Sequence, residues 1–118
     1  LANLNAIESL NLIQESKRKG KILHQRLEEI KNKFSDRISY ICGKGLLAGI
    51  ITKNPVDNKP DSIFASRVCE RAMQKGLLLV HTGRESIKIG PPLTIPDNAL
   101  VEGLDVLEEA IAEVNRKS

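Results

Sequence analysis

The sequence predicts an α+β fold, a two-layer sandwich in which helices cover a small, largely antiparallel sheet. Three observations predict it. Apolar residues recur at helical spacing in three stretches, most clearly Leu100, Leu104, Leu107, Ile111 and Val114 at four-three-four-three. Short apolar or alternating runs punctuated by glycine and proline lie between those stretches and read as strands. The resulting order is helix, strand, strand, helix, strand, strand, helix.

The first helix is expected over residues 4–33. Ala6, Ile7, Leu10 and Ile13 are three or four apart, and Leu23, Leu27 and Ile30 resume the spacing. Gly20 lies between the two halves and costs ~1 kcal/mol relative to Ala in a helix interior, which predicts a bend or a closely packed partner there. Residues 37–43 alternate, placing Ile38, Tyr40 and Cys42 on one face, and 46–52 form a nearly continuous apolar run. Gly43-Lys44-Gly45 connects the two strands, as a tight turn or a bulge, where glycine permits positive φ or close backbone approach. A polar loop over 53–60 follows. Asp61 or Ser62 suits the cap of a second helix with Phe64, Val68 and Ala72 inward, and Gly76 suits its stop. Leu77-Leu78-Leu79-Val80 reads as a buried strand, and residues 81–85 turn the chain into Ser86-Ile87-Lys88-Ile89. Proline can neither donate to a ladder nor vary its φ, so this strand ends at Gly90, before Pro91-Pro92. Pro96-Asp97 starts the final helix.

Composition narrows the class. A chain of 118 residues with 41% hydrophobic and 28% charged residues suits one soluble domain, read as residues 1–118 with a leading helix over 1–34 and the sheet and two helices over 37–118. No apolar run approaches the ~20 residues of a membrane span, and the amino terminus does not read as a signal peptide. Two distant cysteines without a Cys-x-x-Cys suggest a reduced, cytoplasmic setting. Lys17-Arg18-Lys19-Gly20-Lys21 could attract phosphate backbones, but it reads more simply as a solvated helix face. One Tyr, two Phe and no Trp leave little surface for stacking bases, so no nucleic-acid partner is expected.

Among residues that could carry chemistry, Lys88 stands out: the period of two directs Ile87 and Ile89 to the opposite face and leaves a cation beside a rigid turn. Taken alone it reads as a lysine on the exposed face of an edge strand. Gly43-Lys44-Gly45 lacks the spacing of a nucleotide-binding loop. His24 reads as solvent-facing, and His81 at a strand end lacks the partners of a metal site. Glu85 could orient His81 or pair with Arg84. Cys42 and Cys69 read as buried small hydrophobes. Glu28-Glu29 and Glu108-Glu109 diverge by about a hundred degrees along their helices and read as solvation. No catalytic or metal-binding residue is assigned.

Three ordered segments carry a family resemblance: Gly43-Lys44-Gly45-Leu46-Leu47-Ala48-Gly49-Ile50, Arg71-Ala72-Met73-Gln74-Lys75-Gly76-Leu77-Leu78-Leu79-Val80, and the run from Ile87 through Pro91-Pro92 to Pro96. Together they resemble the carboxy-terminal small domain of class III pyridoxal-phosphate aminotransferases, the family of the ornithine, acetylornithine and 4-aminobutyrate enzymes. The resemblance implies the carboxy-terminal fold of fold type I transferases. It also implies a large pyridoxal-phosphate-binding domain, absent from this sequence, that carries the Schiff-base lysine. In that family the position of Lys88 is commonly an arginine that binds a substrate carboxylate or pairs with a glutamate. Lysine keeps the charge but loses the planar fork, and Arg84 could supply a guanidinium nearby. Substrate binding is thus expected at Lys88 and Arg84. The intact enzyme would be a homodimer using pyridoxal phosphate to pass an amino group between an amino acid and a keto acid. The 118-residue chain alone would bind no cofactor, be inactive, and could self-associate through Leu46, Leu47 and Leu93. Decarboxylases, racemases and aminomutases share the fold. A stand-alone small-molecule-binding or regulatory module is the competing reading.

Overall fold

The computed structural model describes residues 2–77, 80–83 and 86–117. Its elements are α1 (Ala2–Lys33), β1 (Ile38–Lys44), β2 (Leu47–Thr52), α2 (Ser62–Gln74), β3 (Val80–Gly83), β4 (Ser86–Ile89) and α3 (Asp97–Lys117). The sheet has the order β1-β2-β4-β3, every neighbour antiparallel. Helix α1 lies against β1 and β2, α2 against β2, β3 and β4, and α3 against α1 and α2. The α+β reading holds.

One continuous core joins the helices to a single face of the sheet. Leu23, Leu27 and Ile30 of α1 meet Phe64, Val68 and Ala72 of α2 and Leu100, Leu104, Leu107 and Ile111 of α3 above Ile38, Ala48, Ile50, Ile87 and Ile89. Leu27 is fully buried, so its truncation to Ala costs about 2–5 kcal/mol. Charges bind the helices at their edges. Arg26 reaches Asp105 and Glu108, each at 3.2 Å, and Lys75 reaches Glu113 at 2.9 Å. Glu108 and Glu109 therefore bridge helices, beyond the solvating role their sequence suggests.

Glycines act where backbones meet. Gly20 is the point of closest approach between α1 and the β1–β2 turn: a Cβ there would lie 2.8 Å from the Gly45 Cα. Of the two expected outcomes, the packed partner is the one found. Gly45 itself has φ +58° and Leu46 does not adopt positive φ, the pattern of a two-residue type II′ hairpin. Gly43 at φ +102° admits no other residue, because a Cβ would strike the Leu47 carbonyl oxygen. Asp61 caps α2 by accepting from the Phe64 amide at 3.0 Å, and Gly76 follows it at φ +96°.

The structure corrects five expectations. Ile38, Tyr40 and Cys42 do not share a face, because the register shifts between Ile38 and Tyr40. The extra residue turns Tyr40 and Cys42 outward and brings Ile41 onto the core side. Cys42 is accordingly exposed, while Cys69 is buried as expected. Of the strand placed at 77–80, Leu78 and Leu79 lie outside the described residues; from Val80 the strand continues through His81, Thr82 and Gly83, where a turn was expected, because these four residues pair with all of β4. In α1, Ile13 is 53% exposed and Leu12 51%, so the stripe expected there is not buried at Ile13. His24 is half-buried instead of solvent-facing, and among the described residues its shielded Nε2 has no hydrogen-bond partner.

Candidate functional site

Strand β4 lies between β2 and β3, so Lys88 occupies an interior strand and not the edge its sequence suggests. Alternation sends Ile87 and Ile89 into the core and Lys88 to the other face. The register sets Gly49 of β2 and His81 of β3 on either side of Lys88. Because Gly49 has no side chain, the floor beside Lys88 is low. A Cβ at Gly49 would fall 2.9 Å from the Cys42 Sγ, so the glycine is also what lets Cys42 lean across the sheet.

The result is a depression of about 490 Å³ on the helix-free face, with Cys42, Leu47, Gly49, Ile51, Ser86 and Lys88 among its lining. Among the described residues Lys88 is the one charged residue in that lining, and its ammonium has no ion-pair partner. A lone cation on an apolar floor suits a single carboxylate, held as a point charge without the two-pronged geometry of arginine. Leu47 is 70% exposed at the rim, whereas Leu46 is buried and Leu93 half-buried. Of the apolar patch expected around Leu46, Leu47 and Leu93, Leu47 is the member that stands clear. Arg84 lies outside the described residues, as does Glu85, and His81 is described in its backbone register alone.

The corner beyond β4 is fastened from outside the sheet. Lys19 of α1 is nine-tenths buried and donates to the Leu93 carbonyl at 2.6 Å. Its neighbour Arg18 grips both oxygens of Asp97, at 2.5 and 3.0 Å, where α3 begins. The guanidinium holds the Asp97 carboxyl below its ordinary range. The Ile95 amide closes the turn onto the Pro92 carbonyl at 3.0 Å. Half of the basic run 17–21 is therefore structural, and Lys17 and Lys21 remain exposed.

The lining does not amount to a pyridoxal-phosphate site. Such a cofactor needs a cradle for its phosphate and an acidic partner for its ring nitrogen. Among the described residues the depression has no carboxylate and no helix start in its lining, which is made of strand and turn residues. Among the described residues there is also no cluster of His, Cys, Asp and Glu able to hold a metal, and no helix is long and apolar enough to cross a membrane. Sequence reasoning found Lys88 but missed Cys42 and Gly49 as its neighbours. The glycine interrupting the apolar run 46–52 was the available signal.

The family model for aminotransferase class-III matches residues 1–111. The mitochondrial acetylornithine aminotransferase of Saccharomyces cerevisiae is 32% identical over 111 residues, covering 94% of this chain and 24% of that protein. The alanine/serine racemase of Pyrococcus horikoshii is 34% identical over 115 residues, covering 95% and 24% respectively. A transaminase from the marine bacterium Virgibacillus superposes with a TM-score of 0.81 at 28% identity, covering 99% of this chain and 28% of that one. The chain thus spans about a quarter of the length of the curated relatives it matches. From the first residue to the middle of α3, its sequence and fold are those of the class III aminotransferases, and the chain belongs to that family.

Proposed function

We propose that residues 1–118 act as the small domain of a class III enzyme that moves an amino group between an amino acid and a keto acid. The helix-free sheet face packs toward a large domain and closes one side of the active site. Lys88 holds the substrate carboxylate there, with Arg84 as the second candidate from the β3–β4 connection. One observation carries this reading: an ammonium with no ion-pair partner among the described residues, in an apolar depression on the face that the helices leave open. Pyridoxal phosphate, which supplies an electron sink when bound, would be held by residues of the large domain. The task of the described residues is to bind and orient the substrate and exclude water. The intact enzyme would be a homodimer, and the free thiols Cys42 and Cys69 fit a cytoplasmic setting.

The test is Lys88→Met in the complete polypeptide that carries this sequence. A charge-assisted hydrogen bond contributes about 1.5–3 kcal/mol, so KM for an amino-acid substrate rises about ten- to a hundredfold. A simple amine substrate, which has no carboxylate, is unaffected. Equal losses on both substrates, or none on either, would refute the assignment. A second measurement addresses the cofactor: the 118-residue chain mixed with pyridoxal phosphate gives no stoichiometric absorbance band. A band abolished by one lysine substitution would show that the chain holds the cofactor by itself.

A further inference from the structure

At the opposite end of the sheet from the proline corner, the start of β1, the loop after β2, the start of α2 and the end of α3 enclose a second cavity of about 510 Å³. Three cations line it: Arg37, Arg67 and Lys117. Arg37 is only 7% exposed, and its surroundings fix it firmly. Its Nε donates to the Asn115 Oδ1 at 2.9 Å, its Nη1 lies 3.4 Å from the Asp61 Oδ2, and its guanidinium stacks 4.5 Å from the Phe64 ring centroid. The third nitrogen, Nη2, has no hydrogen bond among the described residues. Arg67 and Lys117 are exposed and have no ion pair among the described residues.

Among the described residues Asp61 is the one carboxylate in the lining, and both its oxygens are already engaged, Oδ1 by the Phe64 amide and Oδ2 by Arg37. Three positive charges against one negative leave the cavity with a net charge of about +2. A buried, pre-oriented guanidinium with a free edge, flanked by two exposed cations, matches the tetrahedral oxygens of a phosphoryl group. Val56 and Ile63, 91% and 64% exposed, line the same cavity and offer apolar contact to an organic substituent.

We infer that this cavity binds a phosphoryl oxyanion through Arg37, Arg67 and Lys117, remote from the Lys88 face. The ligand is inorganic phosphate or a phosphomonoester. Nothing in this assignment depends on the role proposed for Lys88.

The experiment is a titration of the 118-residue chain, followed by amide and arginine side-chain NMR, with inorganic phosphate and separately with phenyl phosphate. Saturable shifts are expected at Asn54, Phe64, Arg67 and Lys117 and at the Arg37 Nε, with Lys88 unmoved. Arg67→Gln and Lys117→Gln each weaken binding about tenfold, the loss of one charge-assisted contact, and both side chains are exposed, outside the core. Tighter binding of phenyl phosphate identifies a phosphomonoester as the ligand, and equal or weaker binding identifies the free ion. Shifts scattered along the exposed lysines, or an Arg67→Gln/Lys117→Gln double variant that binds as well as the parent, would overturn the site.

Discussion

Replacing Gly20 with Ala sets two effects of opposite sign against each other. In an ordinary helix interior the change stabilises by about 1 kcal/mol, because Ala has the better propensity. Here the new Cβ would lie 2.8, 2.9 and 2.9 Å from the Cα, C and O of Gly45. These are backbone atoms, held by the hairpin on either side, so no side-chain rotation relieves the contact. Overpacking of this kind costs about 1–3 kcal/mol, and a rigid backbone neighbour places it near the top of that range. The net expectation is a loss of about 2 kcal/mol. With a urea m-value of about 2 kcal/mol per molar, the denaturation midpoint falls by about 1 M. Equilibrium urea unfolding of the chain, followed by far-UV circular dichroism, measures it. A midpoint that rises, as propensity alone dictates, would show that α1 and the β1–β2 turn are not in contact and would sink the packing described above.

Three further outcomes are expected. Arg71 and Lys75 hold the Glu113 carboxyl down at about 2; a depressed folded value means that its contribution is complete above the unfolded value near 4.5 and fades as pH falls toward 2. Urea midpoints measured from pH 5 to 2 should drop less steeply in Glu113→Gln, and an unchanged slope would refute the pairing. Thiol titration should find Cys42 reactive in the native chain and Cys69, buried and pushed up to about 11, reactive only on unfolding; two fast thiols would contradict the burial of α2. Leu47→Asp should abolish any concentration-dependent association seen by analytical ultracentrifugation, and association persisting in the variant would place the contact elsewhere.

Much of the fold was legible because its signals are local. The α3 stripe, the Asp61 cap and the Gly76 stop each depend on a few neighbouring residues, and the structure agrees with all three. The bulge near Ser39 was not legible, since no residue in 37–43 marks itself as the extra one; pairing with β2 decides it. Likewise His81-Thr82-Gly83 looks like a turn until β4 supplies three partners. Lys88 could be found from the period of two and the prolines beyond it. The shape of its surroundings could not, because Gly49 and Cys42 arrive from other strands. Arg37 was invisible as anything but a strand-leading cation, its partners Asp61 and Asn115 lying 24 and 78 residues away.

The grip of Lys19 on Leu93 and of Arg18 on Asp97 bears on how the molecule can move. Two consecutive side chains of one long helix clamp the loop that ends β4, across separations of 74 and 79 residues. Swinging that helix therefore carries the proline corner with it as one solid piece, and a bend confined to the stretch before Glu15 leaves the corner undisturbed.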